Sequence, residues 1–188
     1  MRKIILHMHT TLDGFIAGPN GEFDAFQPSD EELEFSNELF RSAGAILLGR
    51  VVYEGFVSYW DPLDPEDPRV SKPDADFARI FKSLTRVVFS RTLERVEGNT
   101  ILIKDNINVA IRRLKEQRGR DLVLVCGPEL LSTLLALGLI DELRIIVRPG
   151  VLGSGKHLFG ATQRRLALKL ISTKAFASGA VLHHYEIR

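Results

Sequence analysis

Three short apolar runs in this chain each break off at a glycine or small residue and lead directly into a turn or helix start. AILLG (45–49) precedes Arg50, VVFS (87–90) precedes Arg91, and LVLVC (122–126) precedes Gly127-Pro128. Continuous apolar runs of this length are the pattern of strands covered on both faces, as parallel strands joined by helices are. Helical stretches fall between them. One follows the capping box Ser29-Asp-Glu-Glu32 and runs to about residue 43; others span 50–59, 74–83 and 107–117. A further helix starts at Pro128, where the missing N–H is harmless, and repeats leucines at four-residue spacing (130/134, 131/135). KIILHMHT (3–10) and ELRIIVRP (142–149) read as strands, and 166–177 with 180–187 as a closing antiparallel pair around Ser178-Gly179. Strands alternating with helices and ending in a strand-rich tail imply an α/β fold. The expected architecture is a three-layer α/β/α sandwich on a mixed, mostly parallel sheet, one domain over residues 1–188.

Composition narrows the functional classes. The single cysteine, Cys126, excludes an internal disulfide and a cysteine-rich zinc site, and favours a reducing, cytoplasmic setting. No apolar run approaches the roughly 18 residues of a membrane span, and the alternating N-terminus lacks the apolar core of a signal peptide. Nucleic acid is not an expected partner, because Arg112–Arg113 and Arg164–Arg165 are isolated pairs without interleaved aromatics. Net charge is +1, but residues 1–80 hold 7 basic and 15 acidic side chains while residues 81–188 hold 18 and 9. The basic second half could receive a phosphorylated ligand, although both halves mixing in one fold would cancel most of that field.

The three junctions share one chemical meaning. A helix start at the carboxyl edge of a parallel sheet offers backbone N–H groups and a positive dipole end to an anion, and glycine lets that anion approach the backbone. Ser90 and Thr92 add neutral donors; Arg50 and Arg91 add charge and a planar face for adenine or a ribose phosphate.

The segments TLDGFIAG (11–18), ILLGRVVYEGF (46–56), VVFSRTL (87–93), VCGPELLSTLLALGLIDEL (125–143) and PGVLGSGKHLFG (149–160) occur in that order along nearly the whole chain. Together they resemble the dihydrofolate reductase-like family, and most of all the branch related to the reductase domain of bifunctional riboflavin-biosynthesis enzymes. The resemblance implies a NADPH site. Asp13, Gly14, Ile16 and Ala17 would form the loop beside the nicotinamide. Gly49 and Arg50, followed by Val51 and Val52, would hold phosphate at a helix start. Ser90, Arg91 and Thr92 would line the adenosine end, and Cys126, Gly127, Pro128, Glu129 and Leu130 would cover the pyrophosphate. The family often has Thr at Val52 and Gly at Cys126. Its Gly-Gly bond is cis in dihydrofolate reductases, so a cis Cys126–Gly127 bond is expected.

Reduction by a nicotinamide also needs a proton. Among the acids of the first helix, Glu32 points into the apolar stripe formed by Leu33, Phe35, Ser36, Leu39, Phe40 and Ala43, where burial would favour a protonated carboxyl. Glu32 and, second, Asp13 are therefore the catalytic candidates; capping at Ser29 and an ordinary Asp-Gly turn explain the same two residues without catalysis. Lys156 and His9 are the substrate-contact candidates. The G-x-x-x-x-G-K match at 150–156 lacks the following Ser/Thr of a nucleotide hydrolase, and His7, His9, His183 and His184 complete no metal-ligand motif. The expected activity is NADPH-dependent reduction of a small pterin- or pyrimidine-like heterocycle or related conjugated compound. The alternatives are the riboflavin-pathway reductase acting on a ribosylamino-uracil phosphate, and a NADPH-binding protein without turnover. A homodimer through the closing strands is expected.

Overall fold

The computed structural model describes residues 1–22 and 27–188. In chain order the elements are β1 (Ile4–Thr11), β2 (Phe15–Ala17), α1 (Asp30–Ser42), β3 (Ala45–Gly49), α2 (Arg50–Trp60), α3 (Lys72–Ser83), β4 (Arg86–Phe89) and β5 (Thr100–Ile103). They continue with α4 (Ile107–Glu116), β6 (Leu122–Val125), α5 (Pro128–Ala136), β7 (Glu142–Arg148), β8 (Lys156–His157), β9 (Leu168–Ala175) and β10 (Val181–Ile187). The class is α/β, with mostly parallel strand pairings, as the sequence implies. The chain divides into two compact units, each discontinuous in sequence: Met1–Arg2 with Asp30–Cys126, and Lys3–Ser29 with Gly127–Arg188.

In the first unit the strand order is β5-β4-β3-β6, and every pair is parallel. Ile46, Leu47, Leu48, Val87, Val88, Leu122 and Leu124 are buried, the outcome expected for apolar runs covered on both faces. The helices pack through aromatics: Phe77 of α3 meets Phe40 of α1 at 5.1 Å and Trp60 of α2 at 4.8 Å between ring centroids. Helix α3 begins two residues earlier than its apolar pattern suggests. Ser71 caps it by accepting from Asp74 N (3.2 Å), and Pro73 sits in the first turn, where proline is tolerated. Buried Arg86 grips Asp61 at the start of the proline-rich loop, 3.0 Å to each carboxylate oxygen, with its guanidinium 4.8 Å from the Phe81 ring centre.

In the second unit the order is β1-β7-β10-β9, with β1 and β7 parallel and the rest antiparallel. Along β1, Ile4, Leu6 and Met8 share one face, and His7, His9 and Thr11 the other. Leu131, Leu134 and Leu135 of α5 are buried, which is what their four-residue spacing demands. A two-stranded β2–β8 sheet pairs Phe15 with His157 and Ala17 with Lys156. Its strands are too short to leave a periodic signal in the sequence.

Candidate functional site

Parallel register brings the first unit's polar turns to one edge. Gly49 ends β3 beside Phe89 of β4, and Phe89 lies beside Ile103 of β5, so the residues that follow each strand emerge together. Gly49 is the N-cap of α2 and provides no side-chain cap, so first-turn N–H groups of this eleven-residue helix are left for an incoming acceptor. Arg50 is exposed and paired with Glu54 at 2.8 Å; Val51 is exposed and Val52 half-buried. Ser90 is committed locally: its Oγ accepts from Thr92 N (3.2 Å) and Leu93 N (3.0 Å), building the turn that displays Arg91 and Thr92. The parallel ladder also delivers Lys104, Asp105 and Asn106 to this edge. Sequence reading missed these three, because TILI (100–103) ends in no glycine that would mark the junction.

Cys126, at the end of β6, is fully buried, and burial pushes its thiol up to about 12, so it remains a neutral, compact side chain. The Cys126–Gly127 peptide is trans: no cis bond occurs among the described residues, and the expectation carried from the Gly-Gly pattern is corrected. A trans bond is the lower-energy form by about 3 kcal/mol for any non-proline peptide. Gly127 caps α5 without a side chain, and a Cβ built on it would meet nothing within 4 Å. Pro128 lies in the first turn, Glu129 is exposed and Leu130 half-buried. Each of these helix starts, α2 in the first unit and α5 in the second, lacks a side-chain cap, the kind of terminus that suits an anion.

Helix α1 separates its acids as the helical wheel dictates. Glu32 is 2% exposed, whereas Glu31, Glu34 and Glu38 lie at the surface. Ser36 Oγ donates to Glu32 O (2.8 Å) and Asn37 Nδ2 to Pro73 O (2.8 Å), so Glu32 lies in a buried polar row rather than a purely apolar stripe.

The second unit gathers the rest of the predicted residues around the end of β1. Asp13 Oδ1 accepts from Thr11 Oγ1 (2.5 Å) and Leu152 N (3.2 Å), and its Oδ2 from Gly153 N (2.8 Å). The Thr11 hydroxyl above all, and then these amides, draw its carboxyl down to about 2. Both of its oxygens are thus occupied as acceptors, and its proton affinity is lowered by them. Gly14, at φ +84°, packs against the His157 ring, where any side chain would collide; Ile16 is half-buried and Ala17 buried. The glycine turn after β7 leads into β8 rather than a helix, which separates it from a nucleotide-hydrolase loop.

His9 meets Arg148 of β7 at 2.8 Å (Nδ1 to Nη2), and its ring lies edge-on to His7, 5.4 Å between centroids. His7 is buried, and desolvation above all, with His9 and Arg144 nearby, holds its pKa well below the usual imidazole value. Exposed Lys156 extends its Nζ over Gly21, 3.4 Å from the position a Cβ there would take. Thr11 had no distinguishing sequence signal, whereas Arg148 is one of the basic residues that a ribosyl phosphate substrate would call for; the β1–β7 register sets the two opposite each other. No group of three His, Cys, Asp or Glu side chains among the described residues is arranged to hold a metal ion.

Parallel strands that hand glycine-started helices to their carboxyl ends, with an antiparallel tail, define the dihydrofolate reductase-like class of α/β sandwiches. The chain belongs to the RibD C-terminal domain family, whose model matches residues 2–182. It is 38% identical to the uncharacterized protein YyaP of Bacillus subtilis (strain 168), over 98% of this chain and 96% of that one. A Shewanella sp. PV-4 protein named for riboflavin biosynthesis superposes with a TM-score of 0.77 at 23% identity, over 99% of both chains. Dihydrofolate reductase from Enterococcus faecalis, solved with NADP(H) and RAB-propyl, superposes with a TM-score of 0.67 at 13% identity, over 99% of this chain and 96% of that one.

Proposed function

We propose that this protein is a NADPH-dependent reductase of a small conjugated heterocycle carrying a C=N or C=O bond. The observation that carries the reading is the first unit's sheet edge, where the uncapped start of α2 at Gly49 emerges beside the Ser90–Thr92 turn. Arg50 and Arg91 would meet the adenosine 2′-phosphate, Ser90 would shape the adenosine turn, and the α2 start at Gly49 would admit phosphate. When bound, NADPH supplies the hydride.

The chain's own residues then have defined tasks. Glu32 would hold the proton needed by the acceptor, since it is the buried acid of α1. Lys156 and His9 would orient the substrate, and Cys126, buried and uncharged, would keep the end of β6 apolar. Asp13 takes no part in proton transfer in this scheme. The narrower reading, reduction of a ribosylamino-uracil phosphate, draws support from the cationic Lys156 and from Arg148 beside His9. Fluorescence titration with NADPH, followed by its oxidation with pterins, pyrimidines and quinones, tests the proposal. Binding with turnover supports a reductase, and binding without turnover on any of them supports a non-catalytic NADPH-binding protein.

The same proposal includes a homodimer. Strand β9 ends the order of its unit, and Leu168, Leu170 and Ile171 on it are 42%, 54% and 48% exposed. An edge strand with such apolar side chains is a template for pairing with a second copy. Light scattering should give twice 21.1 kDa for the wild type and one chain's mass for Ile171→Lys. A wild-type mass of one chain removes the dimer.

A further inference from the structure

We propose that Asp13 is a positioning residue: it latches the glycine turn 150–155 onto the 11–18 segment and thereby sets where Lys156 stands. The turn carries glycines at 150, 153 and 155 and would otherwise hold many conformations, since glycine restrains its backbone least. Gly153 and Gly155 adopt φ of +79° and +146°, outside the range most side chains accept. Something must select one conformation, and the Asp13 carboxylate is placed to do so. It receives the consecutive amides of Leu152 and Gly153 on its two oxygens, as a capping carboxylate receives amides at a helix start.

Thr11 completes the latch. Its hydroxyl donates to Asp13 Oδ1 and accepts from Phe15 N at 3.0 Å, which holds the carboxylate at a fixed angle between the two segments. Backbone bonds flank it on both sides: Leu12 N to Gly150 O (2.8 Å) and Leu158 N to Gly14 O (3.0 Å). Beyond them, Gly155 packs so closely on the Ala17 carbonyl that no Cβ fits, and Lys156 pairs with Ala17 in the β2–β8 ladder. A shift of the turn is therefore transmitted within three residues to Lys156. The low proton affinity of Asp13 agrees with this role, because the latch needs an acceptor at every physiological pH.

The functional consequence rests on the proposed contact of Lys156 with substrate; the latch itself does not. Asp13→Asn keeps one carbonyl acceptor but presents N–H2 to the remaining donors, and Asp13→Ala removes the acceptors altogether. Amide exchange in the full chain without ligand should accelerate at Leu152 and Gly153 by about tenfold or more in both variants, while β1 and β7 amides change little. Acylation of Lys156 by an N-hydroxysuccinimide ester should change in rate while that of Lys174 does not. With a turned-over pterin or pyrimidine, KM should rise about fivefold or more, a larger change than in kcat. Wild-type exchange at Leu152 and Gly153 in a folded Asp13→Asn protein would overturn the latch. An unchanged KM beside accelerated exchange would overturn its transmission to substrate. If the wild type binds no NADPH, the reductase reading fails and exchange still decides the latch.

Discussion

Arg148 Nη2 lies 2.8 Å from His9 Nδ1, and a guanidinium can only donate. Nδ1 is therefore the acceptor, and His9 carries its proton on Nε2. Nitrogen chemical shifts of the His9 ring should report the Nε2–H tautomer in the wild type and a mixture in Arg148→Leu. A wild-type ring protonated on Nδ1 would contradict the assignment.

His7 gives the fold a definite pH signature. Burial, with the nearby His9 and Arg144, holds its pKa well below 6.5. Above about pH 6.5 neither folded nor unfolded chain protonates it, and its contribution is constant. Below that, the unfolded chain binds a proton that the native state refuses, so stability falls by up to about 1.4 kcal/mol per pH unit until the native pKa is reached. Urea midpoints at pH 7.5 and 5.5 should drop more for the wild type than for His7→Gln. Equal drops would show that His7 is not held neutral.

Gly155 tests the joining of the 11–18 and 150–158 segments by packing alone. A methyl group there would overlap the Ala17 carbonyl, at a φ of +146° that side chains rarely adopt. Gly155→Ala should destabilise by about 2 kcal/mol, a fall in Tm of about 4–8 °C for a chain of this size. A melting curve superimposable on the wild type would mean that the β2–β8 contact is loose.

Glu32→Gln preserves size and burial but removes the proton. If Glu32 is the donor, kcat should fall about 100-fold or more at pH 7, with the NADPH Kd unchanged. The loss of wild-type activity as pH rises through the Glu32 titration should also vanish. Unaltered kcat in Glu32→Gln would leave the residue a helix-start group only.

These residues mark where the sequence was informative. The burial of Glu32 and exposure of Glu34 and Glu38 followed from helical phase alone, and β3, β4 and β6 from uninterrupted apolar runs. The carboxyl-edge grouping of Gly49 with Ser90 follows from parallel register, which alternating strands and helices already imply. What escaped were long-range events. Asp13 reads as a turn residue until the amides of Leu152 and Gly153, some 140 positions away, are seen to occupy it. The β2–β8 pair escaped because three residues against two carry no period, and Lys104 because its strand ends without punctuation.

The central claim is that the uncapped turns bind a reduced dinucleotide phosphate. Fluorescence-monitored titration of the full chain with NADPH and with NADH measures it directly. The account predicts saturable binding of NADPH, tighter than NADH by about tenfold, with the preference lost in Arg50→Ala. Absence of saturation by either nucleotide at millimolar concentration would contradict it.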